Sequence, residues 1–426
     1  MSASPAPVLP PAYAGEAAPL AVAEYLYAQA GKPHPTPPAA AEMLGDLHAR
    51  WAAPGSALRA EAVAALHASS GYAPRLLDES LRRFFRRLSA PRLRRVVRRE
   101  LRPRTGELIR PARLTWVTAA GNVPVASLSA LILATLAGAP CLYKPASAEP
   151  ILPTLYARSL AESAPSLANR LAVIGWRGGD ADLESALGRL AETVIAFGSD
   201  AALESLRSRI APGAVWCGFG HRYSIACVTS AGMTAAAARG TARDVCAYDQ
   251  QGCMSPLLCF CAADSSATAA FGERLALALA RLSRRWPRRP LSLGEAAAIR
   301  RWRAGVELRA ALGRGRQWLS EELLGWTVAL LPEADLRDAG RDRSLVLISV
   351  SGEDDLAARL RPGEGRLSTA SLACAPEERS RWTQRLLTLG ATRLCAPGRM
   401  QFPNPLAPHE GRSLCASLIR RISVGR

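Results

Sequence analysis

Between Pro111 and Cys217 short apolar runs alternate with stretches of helical periodicity, and a parallel sheet wound with helices is the architecture that best accepts that alternation. Residues 114–119, 141–143, 171–176, 193–197 and 214–217 read as strands. Residues 125–137, 151–163, 181–191 and 201–210 read as the intervening helices. The spacing predicts a doubly wound parallel α/β sheet, whose ligands bind beyond the carboxyl ends of its strands. Polar residues and glycines gather at those ends. Gly121 and Asn122 follow the first run, Lys144 and Pro145 the second, residues 176–179 the third, Gly198 and Ser199 the fourth, and residues 218–221 the fifth.

The flanking regions differ in texture. Residues 1–110 are helical and alanine-rich, with proline breaks at 33–38 and little strand signal. From Ser224 a second α/β unit begins, with strands at 224–229, 257–262, 344–350 and 393–396 and a long arginine-bearing helix from about Thr268. A polar, proline-broken segment closes the chain. The divisions fall at 1–110, 111–223, 224–398 and 399–426, and a chain of 426 residues exceeds the ~250–300 at which one core stops growing.

A formal charge of +18 points to anionic partners, and the arginines cluster twice, at residues 81–102 and at 284–289. Neither cluster lies in a nucleic-acid-binding motif, so nucleic acid is not expected as the ligand. A solvated helix face explains such runs, as does a dock for coenzyme A or an acidic carrier protein. Of 54 lysines and arginines only Lys32 and Lys144 are lysines. A compact ammonium kept among guanidinium groups marks Lys144 as a place where the two are not equivalent.

Residues 123–143 carry no charge and are long enough to span a bilayer, but Pro124, Gly138 and Pro140 interrupt them, so a buried helix, turn and strand are expected. The start of the chain has neither a basic segment nor an apolar core of the secretory kind, and the ten cysteines show no CxxC or Cys/His cluster. These features favour the cytoplasm and predict no metal site.

Cys253 stands in Asp249-Gln250-Gln251-Gly252-Cys253-Met254-Ser255-Pro256, which reads as a polar loop. A loop thiol is accessible, and the N–H groups beside it can face the oxygen of an attacked carbonyl. Cys246, Cys259 and Cys261 take the commoner fate of a buried, inert thiol.

The run Thr118-Ala119-Ala120-Gly121-Asn122-Val123-Pro124, with Lys144-Pro145, Phe197-Gly198-Ser199 and Gly252-Cys253, resembles the core of aldehyde dehydrogenases in order and spacing. Residues 248–256 and 398–411 resemble more narrowly the LuxC-type acyl-CoA reductases, which supply fatty aldehyde in bacterial bioluminescence. The resemblance covers residues 114 to the carboxyl terminus. It implies an aldehyde dehydrogenase-like fold, with Cys253 as nucleophile and Asn122 as a side-chain donor to the oxyanion. It also implies Lys144 on the adenine ribose of the cofactor and Phe197, Gly198 and Ser199 beside the pyrophosphate. An asparagine in a strand-to-helix turn is ordinary too.

Ser147 stands where NAD-preferring relatives place a carboxylate, which leaves NADPH admissible. Residues 218–222 lack the glutamate with which aldehyde-oxidising relatives hydrolyse the thioester, which favours reduction. His221 in that segment is a candidate proton donor, although a histidine in a turn is more often structural. His409-Glu410-Gly411 reads first as a polar turn. The expected activity is NADPH-dependent reduction of an acyl-CoA or acyl-carrier-protein thioester to an aldehyde by a homo-oligomer. The alternatives are an acyl phosphate reductase of the glutamyl phosphate reductase type and a non-catalytic basic binding protein.

Overall fold

The computed structural model describes residues 5–363 and 365–425. The chain divides into two compact units: one holds the residues up to Ser70, Leu77–His221 and Asn404 onward, the other Gly71–Leu76 and Arg222–Pro403.

In the first unit, β1 (Glu107–Pro111) precedes the strands of the wound sheet, β2 (Thr115–Thr118), β3 (Cys141–Lys144), β4 (Leu171–Val173), β5 (Thr193–Phe197) and β6 (Val215–Phe219). The last five are parallel in the order β4-β3-β2-β5-β6. The chain enters at the centre, winds to one side, then returns to fill the other. This reversal opens a crevice at the carboxyl ends beside β2. Buried Trp116, Leu142, Ala172 and Val194 face helix Pro19–Ala28 through Val22 and Leu26. The uncharged stretch becomes helix Leu128–Ala137, buried at every position, followed by a left-handed Gly138 and then β3. Among the described residues no helix is long and apolar enough to cross a membrane.

The helical amino-terminal region is bound into this unit by a buried polar contact among rings. His48 Nδ1 lies 2.9 Å from the Leu88 carbonyl, which can only accept, so that nitrogen donates and Nε2 accepts from the Tyr156 hydroxyl at 2.9 Å. Trp51 and Phe85 stack at 4.7 Å, and Phe85 stacks on Tyr156 at 5.9 Å. The arginine run 81–102 lies largely on helices Pro74–Arg86 and Ala90–Glu100. These bury Leu81, Phe85, Leu93 and Val97 and expose Arg82, Arg86, Arg92, Arg95 and Arg98. It is a solvated face.

The second unit carries β7 (Tyr223–Thr229), β8 (Pro256–Ala262), β9 (Arg316–Leu319), β10 (Thr327–Leu330), β11 (Ser344–Ser349), β12 (Leu367–Ala373) and β13 (Arg393–Cys395). Their order is β13-β12-β7-β8-β11-β10-β9, parallel except for the edge strand β9. Strands β9, β10 and β12 and helix Leu293–Ala311 go beyond the sequence expectation. The expected strand at 171–176 stops at Val173, and the closing segment is not merely a proline-broken tail. It ends in helix Leu414–Ser417 and β14 (Ile419–Ser423), which pairs antiparallel with β1.

Burial pushes the His48 imidazole down to about 4, below the ~6.5 of an unfolded histidine. The stabilisation is therefore complete above about pH 6.5 and lost as pH falls through 4. Thermal unfolding followed by circular dichroism should show His48→Gln less sensitive than wild type to acidification across this window.

Candidate functional site

Each unit presents its candidates separately. In the first, Asn122 is exposed in the bend after β2. Lys144 closes β3, with Nζ 3.8 Å from Glu184 Oε1 and 5.0 Å from the centre of the Trp176 ring. Burial holds the ammonium below its ordinary range, and Glu184 opposes the shift. Glu184 lies on helix Ala181–Leu190, also pairs with Arg209 and accepts the Gly179 N–H at 3.2 Å. The sequence offered no sign of it, because 40 residues separate it from Lys144 and only the wound topology joins them. Ser147 is exposed in the loop after β3.

Phe197 ends β5 and stacks on Phe219 of β6 at 5.0 Å. His409 meets both rings edge-on, at 5.4 and 4.5 Å. His409 and Arg412 exchange backbone hydrogen bonds of 2.9 Å around Glu410 and Gly411, both with positive φ. The turn read at 409–411 is present, and it adds a third ring at the carboxyl edge of the sheet. Ser199 caps helix Asp200–Arg207 by accepting the Ala202 N–H. A Cβ at Gly198 would come no closer than 3.7 Å to a neighbour, so protein packing does not demand glycine there. Asp200 in the first turn of that helix accepts the His221 N–H at 2.9 Å. His221 is exposed, with Nδ1 3.9 Å from the same carboxylate.

A half-buried ammonium beside an indole face and a helix amino terminus are groups of the kind that a ribose and a pyrophosphate use, although the Ser199 hydroxyl and the Asp200 carboxylate already stand in the first turn of that helix.

In the second unit Cys253 is exposed immediately before β8, at the amino end of that strand. The loop leading to it is not a solvated polar loop, because Asp249, Gln250 and Ser255 are buried. Tyr248, Asp249 and Gln250 are left-handed, with φ of 53°, 51° and 65°. For non-glycine residues each costs roughly 1–2 kcal/mol, so surrounding bonds must fix them. Arg343, buried, places Nε and Nη2 each 2.6 Å from Asp249 Oδ1, and the Arg289 N–H reaches Oδ2 at 3.1 Å. Gln250 acts as an added rung of the sheet: Nε2 donates to the Pro256 and Ser344 carbonyls, and Oε1 accepts the Ser344 N–H at 2.9 Å. Gln251 donates to Asp342. Asp342 and Arg343 are themselves left-handed, so two strained segments brace each other.

On the other side of the thiol, Gln401 donates to Ser255 and fills the space where a Cβ on Gly252 would lie, 2.3 Å from Oε1. A larger residue before the sulfur would have to push the Gln401 amide aside, with its bond to Ser255. Ser224 Oγ donates to the Cys253 carbonyl at 2.8 Å. Cys246, Cys259 and Cys261 are buried, as the sequence reading has it.

The fold is that of the aldehyde dehydrogenases. An oxidoreductase of Marinobacter aquaeolei superimposes with a TM-score of 0.74 at 14% identity, over 96% of this chain and 90% of the other. Aldehyde dehydrogenase C of Pseudomonas syringae, solved with NAD+ and octanal, gives 0.69 at 15% identity, over 95% and 88%. The family model described as acyl-CoA reductase (LuxC) matches residues 40–421, and the chain belongs to that family. Long-chain acyl-protein thioester reductase 2 of Photobacterium leiognathi is 25% identical over 72% of this chain and 63% of its own length. The long-chain acyl-protein thioester reductase of Photorhabdus luminescens is 30% identical over 32% and 29%. The chain thus covers less than two thirds of the length of these curated relatives.

Removing Arg343 leaves a buried carboxylate without its guanidinium. Arg343→Met should cost on the order of 3–5 kcal/mol in a urea titration, and the double variant with Asp249→Leu should recover part of that loss. Equal stability of wild type and Arg343→Met would show that the pair does not brace the loop.

Proposed function

We propose that this chain reduces an acyl thioester, carried by a protein or by coenzyme A, to an aldehyde, with Cys253 as the nucleophile. The observation that carries the reading is an exposed thiol fixed on a buried, strained turn, in a chain of the acyl-CoA reductase family. The relatives' name, acyl-protein thioester reductase, supports a thioester donor. The Cys253 thiolate adds to the thioester carbonyl, and the tetrahedral oxyanion accepts the Cys253 N–H and the Asn122 amide as donors. Collapse expels the carrier thiolate and leaves the acyl group on Sγ. A reduced nicotinamide, when bound, would supply the hydride that this carbon takes up. Return of the electron pair then breaks the C–S bond and frees the aldehyde and the Cys253 thiolate.

Residues 218–222 lack the glutamate with which aldehyde-oxidising relatives hydrolyse the acyl-enzyme, which supports reduction in this reading. Asp200 does not substitute in this scheme, because it is engaged in holding the His221 turn. In this reading the exposed His221 gives a proton to the departing thiolate. Lys144, Phe197, Gly198 and Ser199 hold the dinucleotide. NADPH is the proposed donor: Ser147 is uncharged, and the nearby carboxylate of Glu184 is matched by Lys144 and Arg209. The ten scattered cysteines support a cytoplasmic setting.

Incubation with NADPH and hexadecanoyl-CoA or a hexadecanoyl carrier protein should release free thiol and aldehyde in equal amounts. Cys253→Ala should abolish both, and Asn122→Ala should slow turnover by about 10²–10³-fold. Turnover by Cys253→Ala equal to wild type would remove the nucleophile, and phosphate release from an acyl phosphate without thioester turnover would change the reaction class.

Ser147→Glu places a carboxylate where a ribose 2′-phosphate would lie. The Michaelis constant for NADPH should rise by on the order of tenfold, while that for NADH changes little. Equal effects on the two cofactors would mean that Ser147 does not face the ribose.

A further inference from the structure

Helices Ala235–Cys246 and Ser265–Arg285 of the second unit enclose a groove of about 390 Å³. Arg239 and Arg243 line one wall and Arg274, Arg281 and Arg285 the other. Leu277 is 61% exposed between them. On the longer helix, positions 274, 277, 281 and 285 fall at intervals of three and four, so they form one stripe about 16 Å long. No acidic side chain lines the groove.

The sequence grouped Arg284, Arg285, Arg288 and Arg289 as one basic cluster, and the structure divides it. Arg288 and Arg289 turn inward to Asp342, Asp249 and Glu295, whereas Arg285 lines the groove. The wall that carries Arg243 connects to the nucleophile loop within the same unit. The Arg243 guanidinium lies 4.8 Å from the Phe402 ring, and neighbouring Gln401 braces Gly252 and Ser255 on either side of Cys253.

We infer that this groove docks an amphipathic, acidic helix of the protein that carries the acyl thioester. The proposal rests on the thioester reductase reading above. Exposed Arg239, Arg281 and Arg285, with no carboxylate lining the groove, ask for an anionic partner, and exposed Leu277 asks for one with apolar anchors; Arg274 donates to the Met233 carbonyl, and Arg243 stacks on Trp286 and Phe402. A stripe of three helical turns matches a helix better than a compact anion does. The rim charges would act mainly on the association rate and its salt dependence.

The test compares wild type with Arg281→Glu/Arg285→Glu and with Arg239→Glu, using hexadecanoyl acyl carrier protein and hexadecanoyl-CoA as substrates. Arg95→Glu/Arg98→Glu, on the solvated face of the first unit, controls for net charge. Thermal unfolding confirms that the exposed substitutions leave folding intact. The Michaelis constant for the carrier-bound substrate should rise by on the order of tenfold in both groove variants and little in the control, while that for hexadecanoyl-CoA stays within about twofold.

Direct titration with the acyl carrier protein by calorimetry at low and high salt should show weaker binding in the groove variants alone. An equal rise for both substrates would assign the groove to the phosphates of coenzyme A and overturn the proposal. So would unchanged constants for both, or a groove substitution that lowers the mass in light scattering, since the groove would then lie between copies of the chain. If no thioester is turned over, the reductase reading fails and the titration alone decides: loss of carrier binding in the groove variants upholds the dock, and unchanged binding overturns it.

Discussion

Arg343 and Asp249 form an ion pair inside the second unit, with side chains 1% and 2% exposed, and the placement of Cys253 depends on it. The chain leaves helix Ala235–Cys246 and enters β8 at Pro256. It uses three left-handed residues, and the segment before β11 uses two. Neither segment would hold that shape alone. The guanidinium joins them, also donating to the Trp286 carbonyl at 2.8 Å, and Gln250 continues the hydrogen bonding between β8 and β11 beyond the last true rung. Because β8 and β11 are parallel neighbours, fixing their amino ends together fixes the residue just before β8.

A second brace reaches the same loop from the far end of the chain. Asp244, buried on helix Ala235–Cys246, accepts the Gly398 N–H at 2.6 Å and the Met400 N–H at 2.9 Å, so the segment that carries Gln401 is held down. Arg393 donates to the Met400 and Arg399 carbonyls. Burial pushes the Asp244 carboxyl up to about 7, against those two N–H groups and the nearby Arg393 and Arg243. Its contribution to stability is therefore complete below the usual carboxylate range and is lost as pH rises through about 7. The two N–H groups bind the ionised carboxylate more strongly than the neutral acid, so they offset part of the cost of burying it.

The first sheet was legible because its strands are dense apolar runs between helices of clear periodicity, and because a parallel sheet must be wound in one sense. What stayed hidden has a common cause. Strand β12, Leu-Ser-Thr-Ala-Ser-Leu-Ala, is buried on both faces yet made of small polar and apolar residues, so it shows neither alternation nor a strong apolar run. Helix Leu293–Ala311 buries only Ile299 and Val306 and carries arginines on the remainder. In the site, Cys253 and Lys144 could be singled out by type and neighbours, whereas Arg343, Gln401, Asp244 and Glu184 could not. Their roles come from pairings across 40 to 154 residues. Positive φ at Asp249 or Asp342 has no signature in a residue that is not glycine.

The arginine excess follows in part from the same physics. Arg170 donates to the Gly138, Gln29 and Lys32 carbonyls, and Arg59 to those of Trp51 and Ala53, each joining segments that no sheet connects. A planar group with five donors can satisfy several buried carbonyls at once, and an ammonium on a flexible stem does so less well. Much of the positive charge is thus structural, which is why net charge alone did not identify a ligand. Lys144 is the complementary case. Its compact head lies 3.8 Å from the Glu184 carboxylate and 5.0 Å from the centre of the Trp176 ring. In a chain that uses arginine wherever a fork of donors serves, a lysine persists at a site shaped for a single charged point.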